Sequence, residues 1–351
     1  MAVALVFPMQ AKAISARKAI VMDGETGRVL YEKDVDSRSL IASTTKIMTA
    51  LIVCEQCNVL DRMAIPEEAV GIEGSSMYLQ AGEVLTLQEL LYGLMLSSGN
   101  DAAVALAIYC GGTVEGFAQL MNDKARNLGM SNTHFSNPNG LDAPDHYSTA
   151  RDLAILASYA MKNPIFAMTV STKTVTAGNR SLRNHNKLLW MMENVNGVKT
   201  GYTKAAGRIL VSGAKSAGRQ IVAVTLDAPS DWQDHQILLR NAFENYSMKT
   251  LISAGQILSS VPVAGGKEGY VQLVAASDFI YAVAPYETVS YELPGAGFVY
   301  APVSCGQHAG YAHVMINDVP VGRIELVYGN TVDQLPQEKL SLREKLFGVK
   351  K

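Results

Sequence analysis

The chain has 351 residues, enough for about two domains of ~150 residues, with 30 basic against 32 acidic side chains. A net charge of −2 excludes the basic excess or stripe of a nucleic-acid binder. An apolar share of 48% excludes a disordered chain, and no uninterrupted apolar run reaches the ~18 residues of a spanning helix.

In chain order, residues 1–13 (MAVALVFPMQAKA) are a short apolar run ending in Ala11-Lys12-Ala13. That small-x-small pattern reads as the remnant of a secretory signal, with the mature chain starting near Ile14. Apolar Ala19–Met22 and Val29–Tyr31 flank the turn Asp23-Gly24-Glu25-Thr26-Gly27, a β-hairpin pattern. Helical periodicity then dominates to about residue 165. Thr86-Leu87-Gln88-Glu89 is a capping box ahead of Leu90, Leu91, Leu94 and Met95. Further helices are expected over Asp101–Tyr109, Val114–Asn127 and Leu153–Met161, the last ended by Pro164.

After about residue 170 the period becomes two. Strands are expected at Thr172–Thr176, Ser181–Asn184, Arg208–Lys215 and Gln220–Asp227, followed by a helix over Asp231–Tyr246. This order suits an α+β catalytic domain over 14–250, an antiparallel sheet with helices packed against it. From 255 to 338, Gly and Pro punctuate short strands such as Tyr270–Ala275, Phe279–Ala284 and Ile324–Tyr328, which reads as a small all-β domain. Residues 339–351 set Leu342, Leu346, Phe347 and Val349 among Arg343, Lys345, Lys350 and Lys351. This pattern suits the start of an amphipathic membrane anchor as well as a solvated tail.

Four cysteines (Cys54, Cys57, Cys110, Cys305) are too few and scattered for a disulfide framework or a thiolate zinc site. Cys54 and Cys57 read as small buried hydrophobes on one helix rather than a redox pair. No metal or cofactor site is expected.

Three short motifs carry the chemistry. Ser43-Thr44-Thr45-Lys46 opens an apolar helical run, and a spacing of three puts Ser43 and Lys46 on one face. A serine hydroxyl needs a base to become a nucleophile, and a lysine whose pKa is lowered by burial and nearby positive charge can be that base. Ser98-Gly99-Asn100 lies between two helices; its hydroxyl can relay a proton and its amide can hold a substrate amide. Lys199-Thr200-Gly201 offers a charge, a hydroxyl and an unobstructed backbone, which suit a substrate carboxylate. Backbone near Tyr202 can pair with an extended peptide and donate to an oxyanion. Each motif alone is weak: the first reads as a capped helix start, the second as an interhelical turn, and the third opens a stretch leading into the strands after 208.

Together and in this order, Ser-x-x-Lys, Ser-x-Asn and Lys-Thr-Gly form a signature of penicillin-binding proteins and class A β-lactamases. The chain resembles the serine-type D-Ala-D-Ala carboxypeptidases, the low-molecular-mass penicillin-binding proteins. The stretches Leu96–Ala103, Asn137–Leu141, His146–Ala150 and Asn186–Trp190 carry the resemblance further. It implies a β-lactamase/transpeptidase-like fold. It also implies an exported enzyme on the outer face of the cytoplasmic membrane, acting on peptidoglycan stem pentapeptides and blocked covalently by β-lactams. Ser43 would be acylated, Lys46 its base, and Ser98 and Asn100 helpers in proton transfer and amide binding. Lys199 and Thr200 would engage the terminal carboxylate, and the backbone N–H groups of Ser43 and Tyr202 would form the oxyanion hole. Tyr202 stands where family members often have His. His146 is expected to be structural.

Two other readings compete. A β-lactamase would need a deacylating Glu between the second and third motifs, where only Glu115 and Glu193 stand. A wall-binding or β-lactam-sensing module would acylate at Ser43 without turnover, and the intact Lys46 and Lys199 speak against that.

Overall fold

The computed structural model describes residues 14–336, except 294 and 296. The expected signal remnant at 1–13 and the tail at 339–351 lie outside the described residues. The chain divides into two compact units after Tyr246.

In the first unit, β1 (Lys18–Asp23) and β2 (Val29–Lys33) form the expected hairpin. A single 3₁₀ turn, Ala42–Thr45, leads into α1 (Lys46–Gln56). Residues Lys46–Cys54 are all buried, as befits a helix that is apolar nearly all round. β3 (Arg62–Ala64) and β4 (Val84–Thr86) make a short antiparallel pair that the sequence pattern does not announce. At the start of α2 (Leu87–Leu96), the Thr86 hydroxyl accepts from the Glu89 N–H while the Glu89 carboxylate accepts from the Thr86 N–H, the expected capping box. α3 (Asn100–Gly111), α4 (Val114–Asn127) and α5 (Ala150–Ala160) follow. Pro164 does more than end α5. It opens α6 (Pro164–Ser171) at the first helical position, where a missing N–H costs nothing.

A hairpin of β5 (Thr174–Ala177) and β6 (Arg180–Arg183) and a single-turn α7 (Leu188–Met191) lead to β7 (Val195–Thr203), β8 (Gly207–Ser216), β9 (Arg219–Leu226) and α8 (Asp231–Asn245). The Lys199-Thr200-Gly201 motif therefore lies inside a strand, not ahead of one. Gly197 and Gly201 blur the alternation that would reveal β7 in the sequence.

The five-stranded antiparallel sheet runs β2-β1-β9-β8-β7. Alternate residues serve two cores, because successive side chains on a strand point to opposite faces. Ile20, Met22, Ile209, Val211, Val222 and Val224 join the large helical core that includes α1 and α5. Ala19, Val21, Leu210, Ala214 and Ala223 pack with Leu238, Leu239 and Ala242 of α8. β7 is left as the edge strand facing the helices.

Cys57 is not a small buried hydrophobe on α1: it lies just past that helix and forms a disulfide with Cys110 at the end of α3. Cys54 is free and buried, as expected.

The second unit contains β10 (Ser247–Ile252), β11 (Ile257–Ala264), β12 (Tyr270–Ala275), β13 (Phe279–Val283), β14 (Val289–Glu292), β15 (Val299–Tyr300), β16 (His308–Ile316) and β17 (Val319–Tyr328). β10 pairs with β13, and the other six form a sheet in the order β14-β16-β17-β12-β11-β15. Val261, Val271, Leu273, Val314, Ile324 and Leu326 fill its core. Among the described residues this unit holds no helix, so the expected fold, a helix-packed antiparallel sheet plus a small all-β domain, is the one observed.

Candidate active site

Ser43 sits in the 3₁₀ turn, one turn ahead of Lys46 at the start of α1. The Lys46 ammonium position is fully buried and has three neighbours: Ser43 Oγ at 2.9 Å, Asn100 Oδ1 at 2.6 Å and the Asn139 carbonyl oxygen at 2.6 Å. Burial, and then the positive charge of Lys199, hold the Lys46 amine well below its ordinary pKa; Asp101 opposes them. That lowering favours the neutral amine. A neutral amine held here donates two N–H bonds to the carbonyl-type oxygens of Asn100 and Asn139, which leaves its lone pair for the proton of the Ser43 hydroxyl at 2.9 Å.

The supports of this group come from far along the chain. Asn100, at the N-terminus of α3, is engaged at both ends of its amide: Oδ1 accepts from Lys46, and Nδ2 donates to the Glu73 carbonyl at 2.5 Å. It therefore holds the base in place. Asp101 is buried and gathers the loop before α2, accepting from the Ser76 hydroxyl and from the N–H groups of Met77 and Leu79. Ser98 is nearly buried and adopts a left-handed backbone, φ 62°, which costs a non-glycine residue about 1 kcal/mol or more. That conformation places Ser98 on the cleft wall.

On the opposite wall, β7 passes close to the Ser43 turn. A Cβ added to Gly201 would stand 3.2 Å from the Ile41 carbonyl oxygen and 3.4 Å from the Ser43 amide nitrogen. Glycine lets the strand lie there. Lys199 is buried beside it, its Nζ donating to the Thr200 carbonyl at 3.0 Å, and desolvation lowers its pKa to about 7. Tyr202 is largely exposed at the cleft rim.

The resulting cleft, about 350 Å³, is lined by Ser43, Ser98, Thr200, Gly201 and Tyr202 together with Ser75, His185, Lys187, Arg208, Asp231 and Trp232. All eight residues singled out from the sequence thus fall at one place. Sequence reading assigns no role to the last six of these lining residues, nor to Asp101 or the Asn139 carbonyl, although Asp101, Asn139 and Lys187 stand in stretches that carry the family resemblance. Arg208 is the most informative. It is paired with Tyr202 across the β7–β8 ladder, held by both Asp231 carboxylate oxygens at 2.8 and 2.9 Å, and lies over the Trp232 ring at 5.7 Å. Its Nε is buried without a partner among the described residues.

His146 takes no part in the cleft. Its Nδ1 accepts from the Ser136 N–H, so Nε2 carries the proton and donates to Thr45 Oγ1 at 2.7 Å. Burial pushes its pKa down to about 4, and the neutral ring braces the turn beside Ser43. Neither Glu115 nor Glu193 lines the cleft, and the acid that does, Asp231, is bound to Arg208. Among the described residues no group of three or more metal-ligating side chains occurs.

Comparison with known proteins accords with this arrangement. The family model described as D-alanyl-D-alanine carboxypeptidase matches residues 6–230. The chain belongs to the D-alanyl-D-alanine carboxypeptidase family. A second model, the penicillin-binding protein 5 C-terminal domain, matches residues 246–334. The carboxypeptidase is 34% identical over 314 residues to the D-alanyl-D-alanine carboxypeptidase DacF of Bacillus subtilis, covering 85% of this chain and 81% of that protein. It is 38% identical over 239 residues to the enzyme of Streptomyces sp. K15, covering 62% of this chain and 82% of that one. Among solved structures, penicillin binding protein 5 from Haemophilus influenzae superposes with a TM-score of 0.80 at 29% identity, covering 93% of this chain and all of that one.

Proposed function

We propose that this carboxypeptidase removes the terminal D-Ala of peptidoglycan stem peptides through an acyl-enzyme on Ser43. Lys46 Nζ accepts the Ser43 proton as Oγ attacks the carbonyl between the two terminal D-Ala residues. The backbone N–H groups of Ser43 and Tyr202 receive the oxyanion. Lys199 and Thr200 hold the terminal carboxylate. Ser98, on the wall between them, passes the proton from Lys46 to the departing amine. Water then attacks the ester, and its proton returns through Lys46 to Ser43 Oγ.

The observation that carries this reading is the setting of Lys46, a buried amine 2.9 Å from Ser43 Oγ and fixed by two carbonyl oxygens at 2.6 Å, with burial and Lys199 lowering its pKa. A β-lactam offers the same carbonyl and carboxylate and acylates the same serine. Among the described residues no glutamate lines the cleft to drive fast deacylation, which favours a long-lived penicillin adduct over β-lactamase turnover. The setting proposed is extracytoplasmic, at the outer face of the cytoplasmic membrane, and the Cys57–Cys110 disulfide suits an oxidising compartment.

The test is D-Ala release from an acylated D-Ala-D-Ala peptide, with mass spectrometry of the penicillin-treated protein. Release that depends on Ser43, with the adduct on the peptide containing Ser43, is the expected result. Equal release by Ser43→Ala overturns the reading.

A further inference from the structure

His185 and Lys187 also line a second cavity, larger than the catalytic cleft at about 780 Å³. Ser97, Arg183, His185, Lys187, Trp190 and Met191 line most of it, and among the described residues no aspartate or glutamate does. Arg183 projects from β6 and lies over the Trp190 ring at 5.0 Å. Among the described residues neither Arg183 nor Lys187 has an acidic partner. Trp190 and Met191 are about half exposed, at 42% and 50%, and present apolar surface to the same space. Such a chamber is positively charged, flanked by an indole and a thioether, and shares His185 and Lys187 with the cleft of bond cleavage.

Its position relative to a bound peptide follows from its neighbours. Ser97 adjoins Ser98, and the His185 N–H donates to the Leu96 carbonyl at 3.0 Å. His185 and Lys187 line the annex and share the catalytic cleft with Ser43 and Thr200. The annex therefore borders the residues assigned to the terminal carboxylate. Tyr202 and Arg208 line the catalytic cleft but not the annex.

We propose that the annex is the side-chain subsite for the residue released, and that it favours a D-residue whose side chain is longer than a methyl group and ends in a carboxylate. This rests on the assignment of Ser43, Lys199 and Thr200 given above. The α-carboxylate of the released residue stays at Lys199 and Thr200 while its side chain enters the annex. Methylene groups lie along Trp190 and Met191, and the distal carboxylate meets the planar fork of Arg183, with Lys187 adding positive charge. D-Ala, with only a methyl group, leaves this space unused.

The chemistry is unchanged. Ser43 Oγ forms the ester as the C–N bond to the larger residue breaks, and the departing amine takes the proton that Lys46 accepted. Water then cleaves the ester and restores the hydroxyl. The class of bond is D-alanyl–(acidic D-residue), as in stem peptides whose last residue has been exchanged or extended.

Four acylated dipeptides test this on the full chain: D-Ala-D-Ala, D-Ala-D-Glu, D-Ala-D-Gln and D-Ala-D-Lys, scored by the amino acid released. The expected kcat/KM order is D-Glu, D-Gln, D-Lys, with D-Glu about tenfold above D-Lys, the size of one charge-assisted hydrogen bond. Arg183→Gln narrows that ratio toward one, and Arg183→Glu reverses it. D-Ala release stays within about twofold in both, because a methyl side chain does not reach Arg183. Equal release of D-Glu and D-Lys, release of D-Ala alone, or a ratio that ignores the charge at 183 overturns the annex and leaves the carboxypeptidase reading standing. Absence of all four releases overturns both.

Discussion

Gly140 and Ala42 meet backbone to backbone, so closely that a Cβ built on Gly140 would stand 1.9 Å from the Ala42 carbonyl oxygen. Gly140 also has a left-handed φ of 86°. This contact presses the Asn139–Gly140 loop, whose Asn139 carbonyl accepts from Lys46, against the turn that carries Ser43. Gly140→Ala is expected to lower stability by about 2 kcal/mol or more through strain and overlap. It should also slow penicillin acylation far more than a remote substitution of equal stability cost. Denaturant midpoints and labelled-penicillin kinetics on the same samples check this.

Lys46 acts by losing a proton, so charge alone does not replace it. Lys46→Arg keeps a cation that cannot deprotonate in a protein. It is expected to slow acylation of Ser43 by about 10²–10⁴, the usual range for removal of a general base. Stopped-time mass spectrometry of the penicillin adduct measures the rate. Wild-type speed in Lys46→Arg would remove Lys46 from the role of base.

Lys199 holds a carboxylate only while charged, and burial lowers its pKa to about 7. KM for a D-Ala-D-Ala peptide is therefore expected to rise as pH climbs through about 7. Stability runs the other way. The folded lysine releases its proton near 7 and the unfolded one near its ordinary value of 10.5, so the unfolded chain binds more protons between those limits. The destabilisation from Lys199 is fully present below about 7 and is relieved as pH rises toward 10.5. Steady-state kinetics and urea midpoints from pH 6 to 9 test both directions.

His235 lies between Ser212 Oγ at 2.5 Å and Thr225 Oγ1 at 2.9 Å, and burial drives its pKa down to about 3. Below about 6.5 the unfolded imidazole takes up a proton and the folded one does not. Stability should therefore fall as pH drops from about 6.5, by at most ~1.4 kcal/mol per unit from this group. His146, lowered to about 4, adds to the slope over a shorter span. Urea midpoints at pH 7, 6 and 5 give the measurement, and a flat profile would contradict it.

The Cys57–Cys110 bridge closes a loop with a sequence separation of 53. Thiol titration in denaturant should find two groups, Cys54 and Cys305, without reductant and four with it. Reduction should destabilise the first unit by about 4 kcal/mol on the chain-entropy account.

The eight site residues were legible because each motif is local. Ser43 and Lys46 lie one helical turn apart, and Lys199 to Tyr202 are consecutive, so spacing alone sets their relation. What holds them was not legible. The Asn139 acceptor is a backbone carbonyl, identical in every residue, and Asp101 acts by gathering N–H groups from residues more than twenty positions away. Arg208, Asp231 and Trp232 reach the cleft only through the β7–β8 ladder and the start of α8. The fold shows the same division. Val114–Asn127 is read to the residue from its amphipathic period. β7 is missed because two glycines interrupt its pattern, and Cys57 is misread because its partner lies on another helix.

The base of this enzyme takes its two carbonyl anchors from segments 54 and 93 positions away along the chain. A newly made or half-assembled chain lacks those anchors and also the burial and the Lys199 charge that lower the Lys46 pKa, so its lysine keeps its proton and its serine stays inert. Reactivity toward cell-wall peptides, and toward the drugs that mimic them, switches on only once the whole first unit has closed.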